Sequence, residues 1–151
     1  LEIVDQLGHA PPLIVTPCGG GGLAAGLALA VPEARIVVVE PEGWDDMARS
    51  LATGKILPVQ PNPPPTACDA IQTLRVAELT FGILSERGAT GVAVLETEVG
   101  EAMRVARDRL GLTIEPGGAV ALAARLAGKV GAIEDTVVIL SGGNVDKAVF
   151  A

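Results

Sequence analysis

Leu13-Ile14-Val15-Thr16-Pro17-Cys18-Gly19-Gly20-Gly21-Gly22-Leu23-Ala24-Ala25-Gly26-Leu27 joins two apolar runs of different kind through four successive glycines. The first run, 13–16, is short, β-branched and flanked by proline, which suits a strand buried on both faces of a parallel sheet. The second, 23–30, is rich in Ala and Leu and reads as a short helix. Between them, residues without Cβ let successive backbone N–H groups converge on one point. The helix adds its unpaired first-turn donors and the positive end of its dipole, so the loop suits a phosphate. A plain turn needs one or two glycines, and four are unfavourable in chain entropy.

Outward from this unit, strand and helix patterns keep alternating. Residues 36–40 form a second buried strand. A helix follows from Asp45 as N-cap to Thr53, with Gly54 just past its end. Five prolines in 55–66 make that stretch a loop. Residues 78–87 read as a helix stopped by Gly88, and 91–95 as a strand. Thr97 is placed to cap an amphipathic helix carrying Val99, Ala102, Met103, Ala106 and Leu110 and ending at Gly111. After an extended 112–115, Pro116 opens an Ala-rich helix that ends near Gly128. Residues 136–140 form a last strand running into Ser141-Gly142-Gly143-Asn144. The fold class is α/β, a mostly parallel twisted sheet flanked by helices.

Composition excludes several functions. The chain has 151 residues, enough for one domain with a core and too short to expect two. A net charge of −7 and only three aromatic residues argue against nucleic acid as a partner. Mean hydropathy is +0.47. Residues 10–32 carry no charge, but prolines and the glycine run break them, so neither a membrane span nor a signal peptide is expected. Cys18 and Cys68 form no disulfide framework, which points to a reducing cytoplasm. Leu1 begins abruptly inside a helical pattern, and the N-terminal portion of a longer protein is expected to be absent.

Three glycine turns follow extended segments: 19–22, then Glu115-Pro116-Gly117-Gly118, then Ser141-Gly142-Gly143. Together they are placed to line one crevice of an open sheet. Two phosphate ligands fit at this point. Gly19-x-Gly21-x-x-Ala24 satisfies a relaxed dinucleotide fingerprint, with Glu40 about 20 residues on as a ribose-binding acid. The two later turns lie outside that fingerprint.

The motifs PCGGGGLAAG (17–26), VVVEPEGWDD (37–46), IEPGGAVALAA (114–124) and ILSGGNVD (139–146) occur in an order and spacing that resemble a known family. They are similar to the C-terminal half of threonine/serine dehydratases and serine racemases, fold-type II (tryptophan synthase β-like) pyridoxal-phosphate enzymes. The resemblance implies that Gly19, Gly20, Gly21, Gly22 and the amide of Leu23 hold the cofactor phosphate. It implies that Ser141 faces the pyridine nitrogen, that Glu115 lies near the cofactor, and that Asn144 neighbours a nucleotide effector site found in some racemases. Some members bind Mg²⁺ or Ca²⁺ in a similar acidic turn, which maps to Glu40, Asp46 and the carbonyl of Trp44. Hard oxygen ligands suit such a cation. The alternative is that Asp45 or Asp46 caps the helix while Glu40 is solvated.

By the same resemblance, no catalytic residue lies in this chain. The family's Schiff-base lysine belongs to an N-terminal segment, and Lys55, Lys129 and Lys147 match no such motif; Lys129 and Lys147 read as solvent-exposed charges. In 66–73, Asp69 keeps the family's Asp-Gly turn while Ala70 replaces its glycine. Cys18 reads as a small buried side chain, and His9 as non-catalytic. The implied reaction is β-elimination and deamination of threonine or serine to a 2-oxo acid and ammonium. The expected partners are a small amino-acid substrate, the N-terminal part of the same enzyme and further copies in a homo-oligomer; this portion alone should be inactive. A neutral hydroxyl at the pyridine nitrogen makes the ring a milder electron sink than a carboxylate would, which suits elimination. The rival readings are an NAD-type dehydrogenase fragment and a non-catalytic fragment that keeps the fold.

Overall fold

The computed structural model describes residues 2–131 and 133–145. Helix α1 (Glu2–Leu7) leads into β1 (Leu13–Pro17), α2 (Gly22–Ala30), β2 (Arg35–Pro41) and α3 (Asp46–Thr53). After the proline-rich loop and a 3-10 turn at Asp69–Ile71 come α4 (Glu78–Glu86), β3 (Thr90–Val94) and α5 (Glu96–Val105). A π-turn (Ala106–Leu110) extends α5, and α6 (Pro116–Leu126) and β4 (Val137–Val138) complete the order.

All paired strands are parallel, in the order β3-β2-β1-β4. Alternate strand residues therefore face opposite layers. Leu13, Val15 and Val39 pack with Val99, Met103 and Val120 of α5 and α6. Ile14, Ile36 and Val38 pack with Ala24, Ala28, Met47 and Leu84 of α2, α3 and α4. Both faces of the sheet are covered, so the central strands read as unbroken apolar runs rather than as alternating ones. With so few aromatics, helices must approach the sheet closely through small residues. Ala119, Ala121, Ala123 and Ala124 of α6 are fully buried.

The expected fold class holds, with local corrections. Thr97 does not cap α5: the helix starts at Glu96, and the Glu98 carboxylate accepts the Leu95 N–H at 2.8 Å. A carboxylate three residues into the first turn reaches back to the free donor, which Thr97 inside the helix cannot do. Asp45 occupies the N-cap position of α3 but makes no side-chain cap bond. The last strand pairs over only Val137 and Val138, with the Ile139 N–H adding a bond to the Val15 carbonyl at 2.9 Å. Lys129 is not a free surface charge; its Nζ donates to Glu98 at 2.7 Å and to the Ala93 carbonyl at 2.9 Å. Ala70 sits in the 3-10 turn without a left-handed backbone, so the missing glycine is accommodated. Asp146 and Lys147 lie outside the described residues. No helix among the described residues is long and apolar enough to cross a membrane.

Candidate functional site

Strand order reverses at β1: the chain proceeds from β1 to β2 to β3 in one direction, whereas β4 lies on the opposite side of β1. Open α/β sheets take ligands in the crevice beyond the carboxyl ends of their strands at such a switch point. The loop of Cys18, Gly19, Gly20 and Gly21 leaves β1 there, and residues 139–145 leave β4 beside it.

The first wall is the glycine loop. Gly21 is the N-cap of α2, with φ 86° in the left-handed region and no capping side chain. That conformation favours glycine, and a Cβ would also fall 2.6 Å from Met47 Cε and 3.0 Å from Thr80 Cβ. The first helical bond runs from the Ala25 N–H to the Gly21 carbonyl at 2.9 Å. The N–H groups of Gly22, Leu23 and Ala24 thus have no intrahelical acceptor. A Cβ on Gly22 would meet nothing within 4 Å, and Gly20, Gly22 and Leu23 are exposed, so an anion has open access to these donors. Free N–H donors of this kind suit an anion such as a phosphate. Of the five positions expected to hold it, Gly19, Gly20 and Gly21 lie in the loop and Gly22 and Leu23 open α2.

The second wall is a pair of interlocked turns. The Glu115 N–H donates to the Gly142 carbonyl at 3.0 Å, and the Ser141 N–H points back to the Gly118 carbonyl at 3.5 Å. A Cβ on Gly118 would overlap the Ser141 carbonyl, and one on Gly142 would overlap the Glu115 carboxylate. Glu115 and Ser141 are half-buried, and among the described residues neither side chain has a hydrogen-bond partner. Ile71 joins the two walls: its backbone lies 3.0 Å from a Cβ on Gly19, and its Cγ1 lies 3.4 Å from one on Gly117. Asn144 is exposed beyond the second wall.

Glu40 and Asp46 form a separate acidic cluster behind the loop. Glu40 is fully buried, and its carboxylate accepts the N–H of Met47 at 3.0 Å and of Ala48 at 2.7 Å. It therefore caps α3 in place of Asp45 and is not solvated. Nor can it reach a ribose, which removes the acid that the dinucleotide reading requires. Burial pushes its carboxyl up to about 8 against the two N–H bonds, with Asp46 adding like-charge repulsion. Asp46 is raised to about 6, again mainly by burial and against the nearby backbone N–H groups of Asp46 and Val76 and the Arg49 charge, and neither of its carboxylate oxygens has a hydrogen-bond partner of good geometry. Trp44 sits half-buried at the turn, its indole Nε1 donating to the Pro64 carbonyl at 2.8 Å. No group of three or more His, Cys, Asp or Glu able to hold a metal occurs among the described residues. Cys18 packs against this cluster, and burial, with Glu40 and Asp46 next, raises its thiol well above the ordinary value. It is inert, as a small buried side chain should be.

Three contacts were not visible in the sequence: Thr80 and Met47 on Gly21, and Ile71 between the walls. Each spans many residues, and no local pattern marks them.

Known proteins share this fold. The chain is 37% identical over 153 residues to the serine racemase of Dictyostelium discoideum, covering 97% of this chain and 47% of that protein. It is 35% identical over 155 residues to the L-threo-3-hydroxyaspartate ammonia-lyase of Saccharomyces cerevisiae, covering 99% and 47%. The solved structure of maize serine racemase superposes with a TM-score of 0.86 at 33% identity, covering 99% of this chain and 47% of that one. The chain thus spans about half the length of the curated relatives it matches. Residues 1–142 match the family model described as pyridoxal-phosphate dependent enzyme, and with this match and these relatives the chain, whose glycine loop opens at the switch point of a parallel sheet, belongs to that family.

Proposed function

We propose that this chain is the phosphate-holding part of an enzyme that deaminates a β-hydroxy amino acid, threonine or serine, by β-elimination to a 2-oxo acid and ammonium. The observation that carries the reading is the uncapped N-terminus of α2 behind the glycine loop, facing the crevice that Ser141 and Glu115 border. Pyridoxal phosphate, when bound, supplies the electron sink that labilises the substrate's α-proton. Gly19, Gly20, Gly21, Gly22 and the Leu23 amide bind its phosphate. Ser141 Oγ meets the pyridine nitrogen as a neutral partner, and Glu115, anchored by its own amide to Gly142, borders the same crevice. The reactive lysine belongs to a segment outside these residues, and the working unit is a homo-oligomer.

A second element of the reading is a structural Mg²⁺ or Ca²⁺ held by Glu40, Asp46 and the Trp44 carbonyl. It is supported by the two buried oxygens of Asp46, neither of which has a hydrogen bond of good geometry. A hard divalent cation is the natural counter-charge for two carboxylates at such a turn.

The test is to add pyridoxal phosphate to the full-length protein, record its visible spectrum, and assay 2-oxo acid release from L-threonine and L-serine. A protein-bound cofactor band with product release is expected; D-serine formation without 2-oxo acid would make it a racemase instead. Absence of the band would overturn the reading. Ser141→Ala should lower turnover by up to about tenfold, the worth of one neutral hydrogen bond, while cofactor affinity changes much less because the phosphate cradle is untouched. A parallel loss of affinity and turnover would place Ser141 in the cradle rather than at the ring.

A further inference from the structure

The donors of a phosphate cradle are useful only if the peptides that carry them cannot rotate, and a run of glycines has little intrinsic resistance to rotation. Something outside the loop must hold it. Thr80 lies in the first turn of α4, sixty positions along the chain from Gly20, and its Oγ1 donates to the Gly20 carbonyl at 2.7 Å. The hydroxyl has one proton and a second acceptor in reach, the Ala77 carbonyl at 3.1 Å. The shorter bond to Gly20 is the better placed of the two.

Because a peptide group is planar, fixing the Gly20 carbonyl also fixes the N–H of Gly21 on the opposite side. One residue earlier, the Cys18 thiol donates to the Gly19 carbonyl at 3.3 Å. The loop is therefore held at two successive carbonyls, Gly19 by the buried thiol and Gly20 by the Thr80 hydroxyl. Thr80 Cβ and Oγ1 also lie 3.0 Å from a Cβ on Gly21, and Met47 Cε 2.6 Å. The residue that opens α2 is thus walled in, and the N–H groups that follow it, of Gly22 and Leu23, have their direction set.

We infer that Thr80 is a positioning residue for the phosphate cradle: by binding the Gly20 carbonyl it keeps the peptide before α2 in the orientation that aims the free helix donors at the anion. The inference rests on the proposed cofactor reading and adds to it a residue that touches no ligand.

The experiment uses the full-length protein and two substitutions, Thr80→Val, which keeps the shape without the hydroxyl, and Thr80→Ser, which keeps the hydroxyl. Affinities for pyridoxal phosphate and for pyridoxal, which lacks the phosphate, are titrated by visible absorbance, with inorganic phosphate as competitor. Thr80→Val should weaken pyridoxal phosphate and inorganic phosphate about tenfold and leave pyridoxal within twofold. Thr80→Ser should stay within about twofold of wild type for all three. Equal loss of pyridoxal and pyridoxal phosphate in Thr80→Val would overturn the inference, since a general structural defect does not distinguish them. Wild-type affinity in Thr80→Val, or a phosphate-specific loss in Thr80→Ser, would overturn it as well. If Thr80→Val fails to fold, the serine variant alone decides: retained phosphate affinity supports the hydroxyl's role and loss refutes it. Failure of the wild-type protein to bind pyridoxal phosphate at all is a separate result, seen before any variant is made, and would remove the cofactor reading and this inference together.

Discussion

Gly118→Ala is expected to destabilise the protein by about 3 kcal/mol and to weaken pyridoxal phosphate binding by more than tenfold. The sign runs against helix propensity. Gly118 lies in the first turn of α6, where replacing Gly by Ala ordinarily gains up to about 1 kcal/mol. Here the added Cβ would overlap the Ser141 carbonyl. That carbonyl has little room to retreat: the neighbouring Gly142 oxygen is bound by the Glu115 N–H at 3.0 Å, and the Ile139 N–H is bound to Val15 of the central strand at 2.9 Å. Forcing a methyl into such a contact costs roughly 1–3 kcal/mol, more where the backbone must move. The displaced turn carries Ser141, so the cofactor site shifts with it. Urea unfolding and a cofactor titration on the full-length protein measure both effects. Gly26→Ala serves as the internal comparison, because Gly26 is exposed on α2 and a Cβ there meets nothing within 4 Å. It should be neutral or stabilising. If the two variants behave alike, the interlocked turns do not carry the load ascribed to them.

The second large effect concerns Glu40 and pH. Its folded-state value is about 8, raised from 4.5, so the folded form holds a proton that the unfolded chain releases. Stability from this group is fully present below about pH 4.5 and is lost as pH rises towards 8, levelling off above. The shift corresponds to a loss on the order of 3–5 kcal/mol across that window. Asp46, raised to about 6, acts in the same direction at lower pH. Glu40→Gln resembles the protonated acid in shape and keeps one acceptor for the Met47 and Ala48 amides. Its unfolding free energy should therefore vary much less between pH 5 and 8, crossing the wild-type curve and exceeding it at pH 8. Thermal or urea unfolding at a series of pH values gives the difference between the two slopes, in which contributions from other groups cancel. The same measurement tests the cation. Mg²⁺ or Ca²⁺ at pH 8 should raise the wild-type midpoint and have little effect on Glu40→Gln. A wild-type midpoint insensitive to both ions would remove the proposed metal site, and parallel pH curves would show that Glu40 is charged in the fold.

Much of the fold could be read along the chain because its signals are local. A β-branched run, a glycine loop and an Ala/Leu run lie within fifteen consecutive positions, and each imposes its own backbone geometry. The strands at 13–17 and 35–41 and the Pro116 helix start follow from the same kind of signal. The expected span of α3 held, with Asp45 at its N-cap position and Gly54 just past its end, and only the start of α5 moved, but at both helices another side chain supplied the cap. Glu98 replaced Thr97 for α5, and Glu40 replaced Asp45 for α3. Both carboxylates win because two oxygens on a longer arm can reach a free N–H that the residue at the helix start does not engage.

The sequence by itself determined the α/β class, the parallel sheet and the three glycine turns, because periodicity and the need for residues without Cβ act over a few positions. Only the tertiary structure decided what those turns meet. It set Gly118 against Ser141, Ile71 between Gly19 and Gly117, and Thr80 on Gly20, and it turned Glu40 away from solvent. Those are contacts between distant segments, and burial, which sets the charge of Glu40, exists only once the helices have closed over the sheet.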